Sequence, residues 1–202
     1  MKVSKAQAQA NRAHVVDTAS RLFREQGYDG VGVADLMAAA GFTHGGFYKQ
    51  FGSKTDLIAE ATACGVQKTV AQAQGVDPAT FVMHYLSRTH RDQRGQGCSM
   101  AALGGDAARQ PEAVRQALAE GIEGLVAALG RVDPDVDSGA EADAGRVPRE
   151  RLLALLAQSV GALVMSRACP DGSALADEIL EVNRRALLAG LGVPTPPELD
   201  LG

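Results

Sequence analysis

Tryptophan is absent from the 202 residues, and aromatic side chains make up only 4% of them. Aromatic residues favour strands, whereas the abundant Ala and Leu residues of this chain favour helices. The composition therefore predicts a helical protein.

Cysteine is also scarce. Cys64, Cys98 and Cys169 are odd in number, widely spaced, and none belongs to a C-x-x-C pair. A disulfide framework or a structural zinc site needs paired cysteines, so neither is indicated. The pattern favours a reducing cytoplasm, and we expect no metal and no other cofactor.

Long hydrophobic runs and catalytic motifs are missing as well. Gly or charged residues interrupt every apolar stretch before it could span a bilayer, so no membrane partner is expected. The chain has no G-x-S-x-G elbow, phosphate-binding glycine loop or H-E-x-x-H pair. An enzyme is therefore not expected.

Positive charge is concentrated near the N-terminus. The formal net charge is −4, but residues 1–54 hold seven Lys or Arg against four Asp or Glu, and the remainder carries −7. DNA binding requires a local basic surface and not a basic protein as a whole. The N-terminal quarter is thus the candidate nucleic-acid-binding part.

The same quarter has the pattern of short helices. Residues 1–10 show no apolar stripe and are predicted to form a mobile basic arm, whereas residues 11–27 have helical periodicity. Residues 33–40, closed by Gly41, predict a second helix, and a third follows around Phe47. This spacing suits a helix-turn-helix.

The rest of the chain predicts longer helices. Ser53 can accept a hydrogen bond from the amide of Asp56, so a helix is expected from there to about Gln74. Further helices are predicted near 78–91, 98–109, 111–130, 148–168 and 172–190. Residues 131–147 are acidic and poor in apolar side chains, which predicts a flexible surface loop.

Residues 41–57, GFTHGGFYKQFGSKTDL, resemble the recognition helix and following turn of TetR-family repressors. The first-helix end LFREQGY at 22–28 and the pair Asp35-Leu36 match as well, so the resemblance covers roughly residues 11–62. It implies an all-α fold with an N-terminal three-helix helix-turn-helix DNA-binding domain. That domain, arm included, is expected over residues 1–52, joined to a C-terminal helical ligand-binding and dimerisation domain over residues 53–202.

The predicted DNA-binding residues are Thr43, His44, Gly45, Tyr48, Lys49 and Lys54. Thr43 begins the recognition helix, where side chains meet base edges, and His44 is either a second base contact or a spectator. Gly45 permits close approach of the backbone to DNA, while Tyr48 and the two lysines are placed to reach phosphates. The chain departs from the family at Val31-Gly32, where members commonly have Thr or Ser.

The last two helices are apolar over about half of their circumference, wider than a one-sided surface helix needs. Two copies of such a hairpin can form a four-helix interface, although a thick monomeric core is the alternative. The predicted dimer residues are Leu152, Leu156, Val160, Leu163, Leu175, Ile179, Val182 and Ala186.

TetR-like proteins typically hold a small molecule in the C-terminal helices, and large or adaptable apolar residues are candidates to line such a pocket. They are Phe81, Met83, Tyr85, Met100 and Met165, with ordinary core packing as the alternative. Cys98 lies near a predicted helix start, where a thiolate is favoured, so it is a candidate thiol sensor or a small buried residue.

The function expected from these features is that of a ligand-responsive regulator. A homodimer would bind a pseudo-palindromic operator in double-stranded DNA, act as a repressor, and be released by a small-molecule effector. Two alternatives stay open: a helical protein-interaction adaptor, and a redox or electrophile sensor that uses Cys98.

Overall fold

The computed structural model describes residues 4–130 and 147–193. These residues form helices and connecting turns, with no strand among them, so the all-α prediction is confirmed. They fall into two compact units: residues up to Ala71 with Arg94–Gly124, and Gln72–Gln93 with the described residues from Leu125 onward. The predicted loop lies almost wholly outside the described residues.

The first unit contains a long α1 (Lys5–Gln26), α2 (Val33–Ala39), a 3₁₀ helix (His44–Lys49), and most of α3 (Lys54–Ala73). A second 3₁₀ helix (Arg94–Gln96), α6 (Ser99–Ala107) and the first part of α7 (Glu112–Leu129) complete it. Its core contains apolar side chains of these helices and of the turns between them: Val15, Ala19, Phe23, Tyr28, Leu36, Met37, Phe47, Phe51, Leu57 and Ala61.

The predicted mobile arm is wrong from Lys5 onward, because these residues form the first turns of α1. Ser4 caps the helix by accepting a hydrogen bond from the Gln7 amide at 3.1 Å. The Gln7 and Asn11 side chains add a bond one turn apart, at 2.8 Å. Capping and alanine propensity thus extend the helix without burying an apolar face.

Buried polar side chains hold α1 against the rest of this unit. The Tyr28 hydroxyl donates to Thr62 Oγ1 at 2.8 Å, and Thr62 donates to the Ile58 carbonyl. Arg24, buried, donates to the Gly95 carbonyl from Nε and Nη2 and to Ser20 Oγ from Nη1. Burial lowers the pKa of Arg24, and the negative charges of Asp17 and Glu25 offset this only in part.

The α3 and α7 helices approach each other closely where glycines replace side chains. A Cβ on Gly121 would overlap Val66 Cγ1, and one on Gly124 would lie 2.9 Å from Val70 Cγ2. Two adjacent turns of α7 therefore require glycine for this contact.

We expect Gly121→Ala to lower the free energy of unfolding by roughly 1–3 kcal/mol, because the added methyl overpacks the core. Gly104→Ala is the matched control, since a Cβ there has nothing within 4 Å and the same substitution improves helix propensity. That control should be stabilised by up to about 1 kcal/mol. Urea unfolding followed by circular dichroism measures both, and equal stabilities would contradict the close contact.

The second unit contains α4 (Pro78–Tyr85), α5 (Arg88–Asp92), α8 (Arg149–Ala168) and α9 (Ala174–Gly190). The single helix predicted over 78–91 is wrong, because it breaks in two. Leu86 ends α4, and Ser87 caps α5 by accepting from the His90 amide at 3.1 Å. A serine that offers its own backbone a new helix start favours this break.

The helices α8 and α9 pack side by side and run antiparallel. Three hydrogen bonds fix the register: Arg151 Nη2 to the Gly190 carbonyl at 2.6 Å, Gln158 to Asn183 at 3.0 Å, and Ser166 Oγ to the Ala176 carbonyl at 2.8 Å. Both α4 and α5 pack against this hairpin. The hairpin is therefore the framework of the second unit.

Arg91 ties α5 to the end of α8, and its side chain is 1% exposed. Its Nη2 donates to the Ser166 and Cys169 carbonyls at 3.1 and 3.2 Å, and its Nε donates to Ser166 Oγ at 3.0 Å. Its Nη1 contacts the carboxylates of Asp92 and Asp171 at 2.6 and 3.3 Å. A cation at the C-terminal end of a helix satisfies its last carbonyls.

Among the described helices, α8 alone is long and apolar enough to pass a length-and-composition test for a membrane span. Its Leu152, Leu155 and Leu163 are buried inside the second unit, as are Ser159 and Ser166. Core helices of water-soluble proteins pass the same test, so this finding is weak evidence for a membrane span.

Candidate nucleic-acid interface

The third helix predicted around Phe47 is a six-residue 3₁₀ helix, His44–Lys49, which we call the recognition segment. Thr43 is its N-cap and makes no side-chain capping bond, while the Gly46 amide donates to the Thr43 carbonyl at 2.9 Å. Two adjacent glycines lower helix propensity by about 1 kcal/mol each relative to alanine, which favours a short, tight turn.

One side of the segment is buried and the other is exposed. Phe47 is fully buried and contacts the ring of Phe51 at 5.3 Å between centroids. Tyr48 is 66% exposed, and its ring lies edge-on to Phe47 and to His44, at 5.2 and 5.9 Å. The buried phenylalanine thereby orients an exposed aromatic pair.

The predicted contact residues share this exposed side or lie beside it. Thr43, His44, Gly45, Tyr48 and Lys49 are exposed, and Lys54 is half-buried at the start of α3. The Asp56 amide donates to Ser53 Oγ at 3.1 Å, so the predicted cap of α3 is confirmed. Their contacts with DNA stay a prediction.

The glycines of the segment are not required by the chain itself. A Cβ on Gly45 would meet nothing within 4 Å, and one on Gly46 would make only ordinary contacts, at 3.5 Å from Met37 Cε. Neither has a positive φ. Gly41 does, at 77°, and there the turn between α2 and the 3₁₀ helix demands glycine.

The start of α2 lacks a side-chain cap. Gly32 is its N-cap and makes no capping bond, while Asp35 supplies negative charge to the first turn. Backbone amides are therefore the groups that α2 offers to an anion at this end.

Sequence reasoning missed one residue beside the segment. Arg12 of α1 donates from Nε to the Gln50 carbonyl at 3.3 Å, and its guanidinium lies 4.6 Å from the centre of the Phe51 ring. It also makes a bidentate ion pair with Glu60 of α3, and this hydrogen bonding raises the pKa of Arg12. These partners are 38 and 48 residues away in sequence, so no local pattern indicates them.

The structure does not bring all of the predicted pocket residues together. Phe81 and Tyr85 are buried in the second unit with ring centroids 5.1 Å apart, and Met83 is half-buried there. Met165 is 59% exposed, so its side chain does not lie inside that unit. Met100 is buried but belongs to the first unit.

Some of the predicted dimer residues are buried within the chain and others are exposed. Leu152, Leu156 and Leu163 are at most 4% exposed within a single chain, so their side chains form the core of the second unit and are not available to a partner. Leu175 and Val182 are 54% and 47% exposed. Ala186 is exposed as well, and Val160 and Ile179 are half-buried.

Cys98 is 2% exposed and is the N-cap of α6. Burial is the main cause that raises the pKa of Cys64. The thiol-sensor assignment stays a prediction. Among the described residues, no three His, Cys, Asp or Glu side chains cluster in a way that could hold a metal ion.

Comparison with known proteins finds a family match for the N-terminal helices. Residues 15–61 match the family described as bacterial regulatory proteins, tetR family. The HTH-type transcriptional regulator AcrR of Shigella flexneri is 40% identical over 57 residues, 28% of this chain and 26% of that protein. The HTH-type transcriptional repressor DhaR of Mycobacterium sp. strain GP1 is 30% identical over 93 residues, 43% of this chain and 47% of that protein.

The chain thus matches about a quarter and just under half of the length of these two relatives. The similarity to a solved structure covers a larger part of the chain than these sequence matches do. The reduced form of E. coli NemR superimposes with a TM-score of 0.70 over 94% of this chain and 100% of that one, at 18% identity. At this identity the likeness shows the fold alone.

Proposed function

We propose, on the premise that residues 15–61 are the DNA-binding domain of a TetR-family regulator, that this chain is a ligand-responsive transcriptional repressor. In this proposal it acts in the cytoplasm as a homodimer on a pseudo-palindromic operator, and a small-molecule effector releases it. The proposal includes a DNA-binding domain over residues 1–52 and a ligand-binding and dimerisation domain over residues 53–202.

The observation that carries DNA binding is the exposed side of the recognition segment. Threonine, histidine, tyrosine and lysine side chains stand out from a turn that buried Phe47 holds in place. Packing within the chain does not require glycine at Gly45 or Gly46, and the lack of side chains there leaves the backbone open to a partner. A DNA backbone approaching the turn closely is the partner that fits a basic, polar, glycine-containing segment.

The dimer is proposed to form through the exposed side of α8 and α9. Among the residues that the structure describes, five of the eight exposed large apolar side chains lie on these two helices: Leu153, Val164, Met165, Leu175 and Val182. An antiparallel hairpin with an apolar outer face buries it by pairing with a second copy in a four-helix arrangement. The interface thus uses positions beside the leucines that the chain buries in its own core.

The test of the function is DNA binding by purified protein. Fluorescence anisotropy with duplexes selected from genomic DNA, including the region upstream of its own gene, would compare wild type with Tyr48→Ala plus Lys54→Ala. We expect saturable wild-type binding and a loss of about 100-fold or more in the double variant. The slope of affinity against salt should fall by about one for each phosphate contact removed.

Arg115→Ala is the matched control for this test. Arg115 is exposed on α7, so its substitution removes one positive charge as Lys54→Ala does, but outside the proposed interface. Unchanged DNA binding in the Tyr48 and Lys54 variant, with a folded protein, would contradict the assigned interface. Failure of wild type to bind any selected duplex would leave the adaptor as the better account.

A further inference from the structure

We propose that Arg12 is a positioning residue that clamps the C-terminal end of the recognition segment, with Glu60 holding Arg12 in place. This inference rests on the proposed DNA binding and deepens it. It assigns a role in reading DNA to two residues on the helices that flank the recognition segment and not on the segment itself.

The segment benefits from an external support because it is short, and its own bonds, such as Gln50 amide to Phe47 carbonyl at 2.8 Å and Gln50 Nε2 to Gly46 carbonyl at 3.4 Å, are all local. A six-residue 3₁₀ helix has weak hydrogen-bond geometry, and Gly45 and Gly46 add backbone freedom. Gln50 ends the segment, and its buried Oε1 has no hydrogen-bond partner among the residues that the structure describes. The carbonyl of Gln50 would be a further orphan at a helix end, and Arg12 satisfies it.

Arg12 makes three different contacts at this point, and each restricts its position. Nε binds the Gln50 carbonyl, the guanidinium carbon lies over the Phe51 ring at 4.6 Å from its centroid, and both terminal nitrogens bind the carboxylate of Glu60. A planar, five-donor guanidinium can serve these partners together, whereas a lysine ammonium cannot. Phe51 packs in turn on Phe47, which lies beneath the exposed Tyr48.

A different role for Arg12 predicts opposite results. Its side chain is 40% exposed, so it could instead leave Glu60 and bind a DNA phosphate. In that case Glu60 competes with DNA, and Glu60→Gln tightens binding. If Arg12 is the clamp, the same variant loosens the segment and weakens binding, although it removes a negative charge.

We expect Glu60→Gln and Arg12→Lys each to weaken operator binding by about 5- to 10-fold, on the scale of one lost charge-assisted hydrogen bond. The slope of affinity against salt should stay that of wild type, because no phosphate contact is removed. Without DNA, amide hydrogen exchange over residues 44–51 should become faster in both variants.

Asp17→Asn is the matched control, because Asp17 and Lys68 form another ion pair between α1 and α3, away from the segment. It should change neither operator affinity nor exchange over residues 44–51. Tighter binding by Glu60→Gln, or a salt slope lowered by about one in the charge-removing variant Arg12→Gln, would overturn the clamp. Unchanged exchange in both variants would overturn it too, and wild-type failure to bind DNA would instead reject the proposed function.

Discussion

Replacement of Arg91 by methionine is expected to lower the free energy of unfolding by about 3 kcal/mol, because buried carbonyls lose their donors. The side chain is 1% exposed and binds the Ser166 and Cys169 carbonyls. Methionine fills a similar volume, so the lost hydrogen bonds account for the effect and a cavity does not. Urea unfolding followed by circular dichroism measures the change.

Arg88→Met is the control on the same helix. Arg88 pairs with Asp92 and Asp177 at 2.8 Å, but these groups are exposed, and surface ion pairs contribute little to stability. We expect no measurable loss of stability there. If both variants unfold at the same urea concentration, Arg91 is not the anchor of α5.

If the proposed dimer forms, a double variant that places charge on the outer face of the hairpin, Val164→Glu with Val182→Glu, is expected to be a monomer. Both side chains are exposed in the single chain, at 45% and 47%, so we expect the fold to tolerate the change. A dimer interface would have to desolvate the new carboxylates. Operator affinity should fall by a factor on the order of 100, because two linked half-sites become one.

Ile122→Glu provides the comparison, since Ile122 is an exposed apolar residue on α7, at 38%. Sedimentation velocity should give a dimer for this control and for wild type, and a monomer for the double variant. A double variant that remains dimeric would show that α8 and α9 are not the interface.

Helix positions were largely predictable because capping and periodicity are local. Ser53 and Asp56 predict the start of α3 from four residues, and the structure shows the bond between them. The same local reasoning failed at Ser4, where a cap and alanine propensity extend α1, and at Ser87, where a serine divides one predicted helix into two. A cap is a local signal, but a short polar residue alone does not show whether it is used.

Helical periodicity could not show which apolar residues of α8 and α9 pack in the chain's own core and which stay exposed. Leu152, Leu156 and Leu163 have the same residue type as Leu153 and Leu175, yet the first three are in the core and the latter two are exposed at 37% and 54%. A helical wheel shows that a face is apolar. It does not show which part of that face the same chain covers.

What the sequence alone determined is the helical class and the helix-turn-helix, because propensity, glycine placement and the 43–54 pattern act over short distances. What the tertiary structure decided is the set of long-range anchors. Arg12, Arg24 and Arg91 each bind backbone carbonyls 38 to 78 residues away. A carbonyl has no residue type, so no sequence pattern can indicate which arginine will meet it.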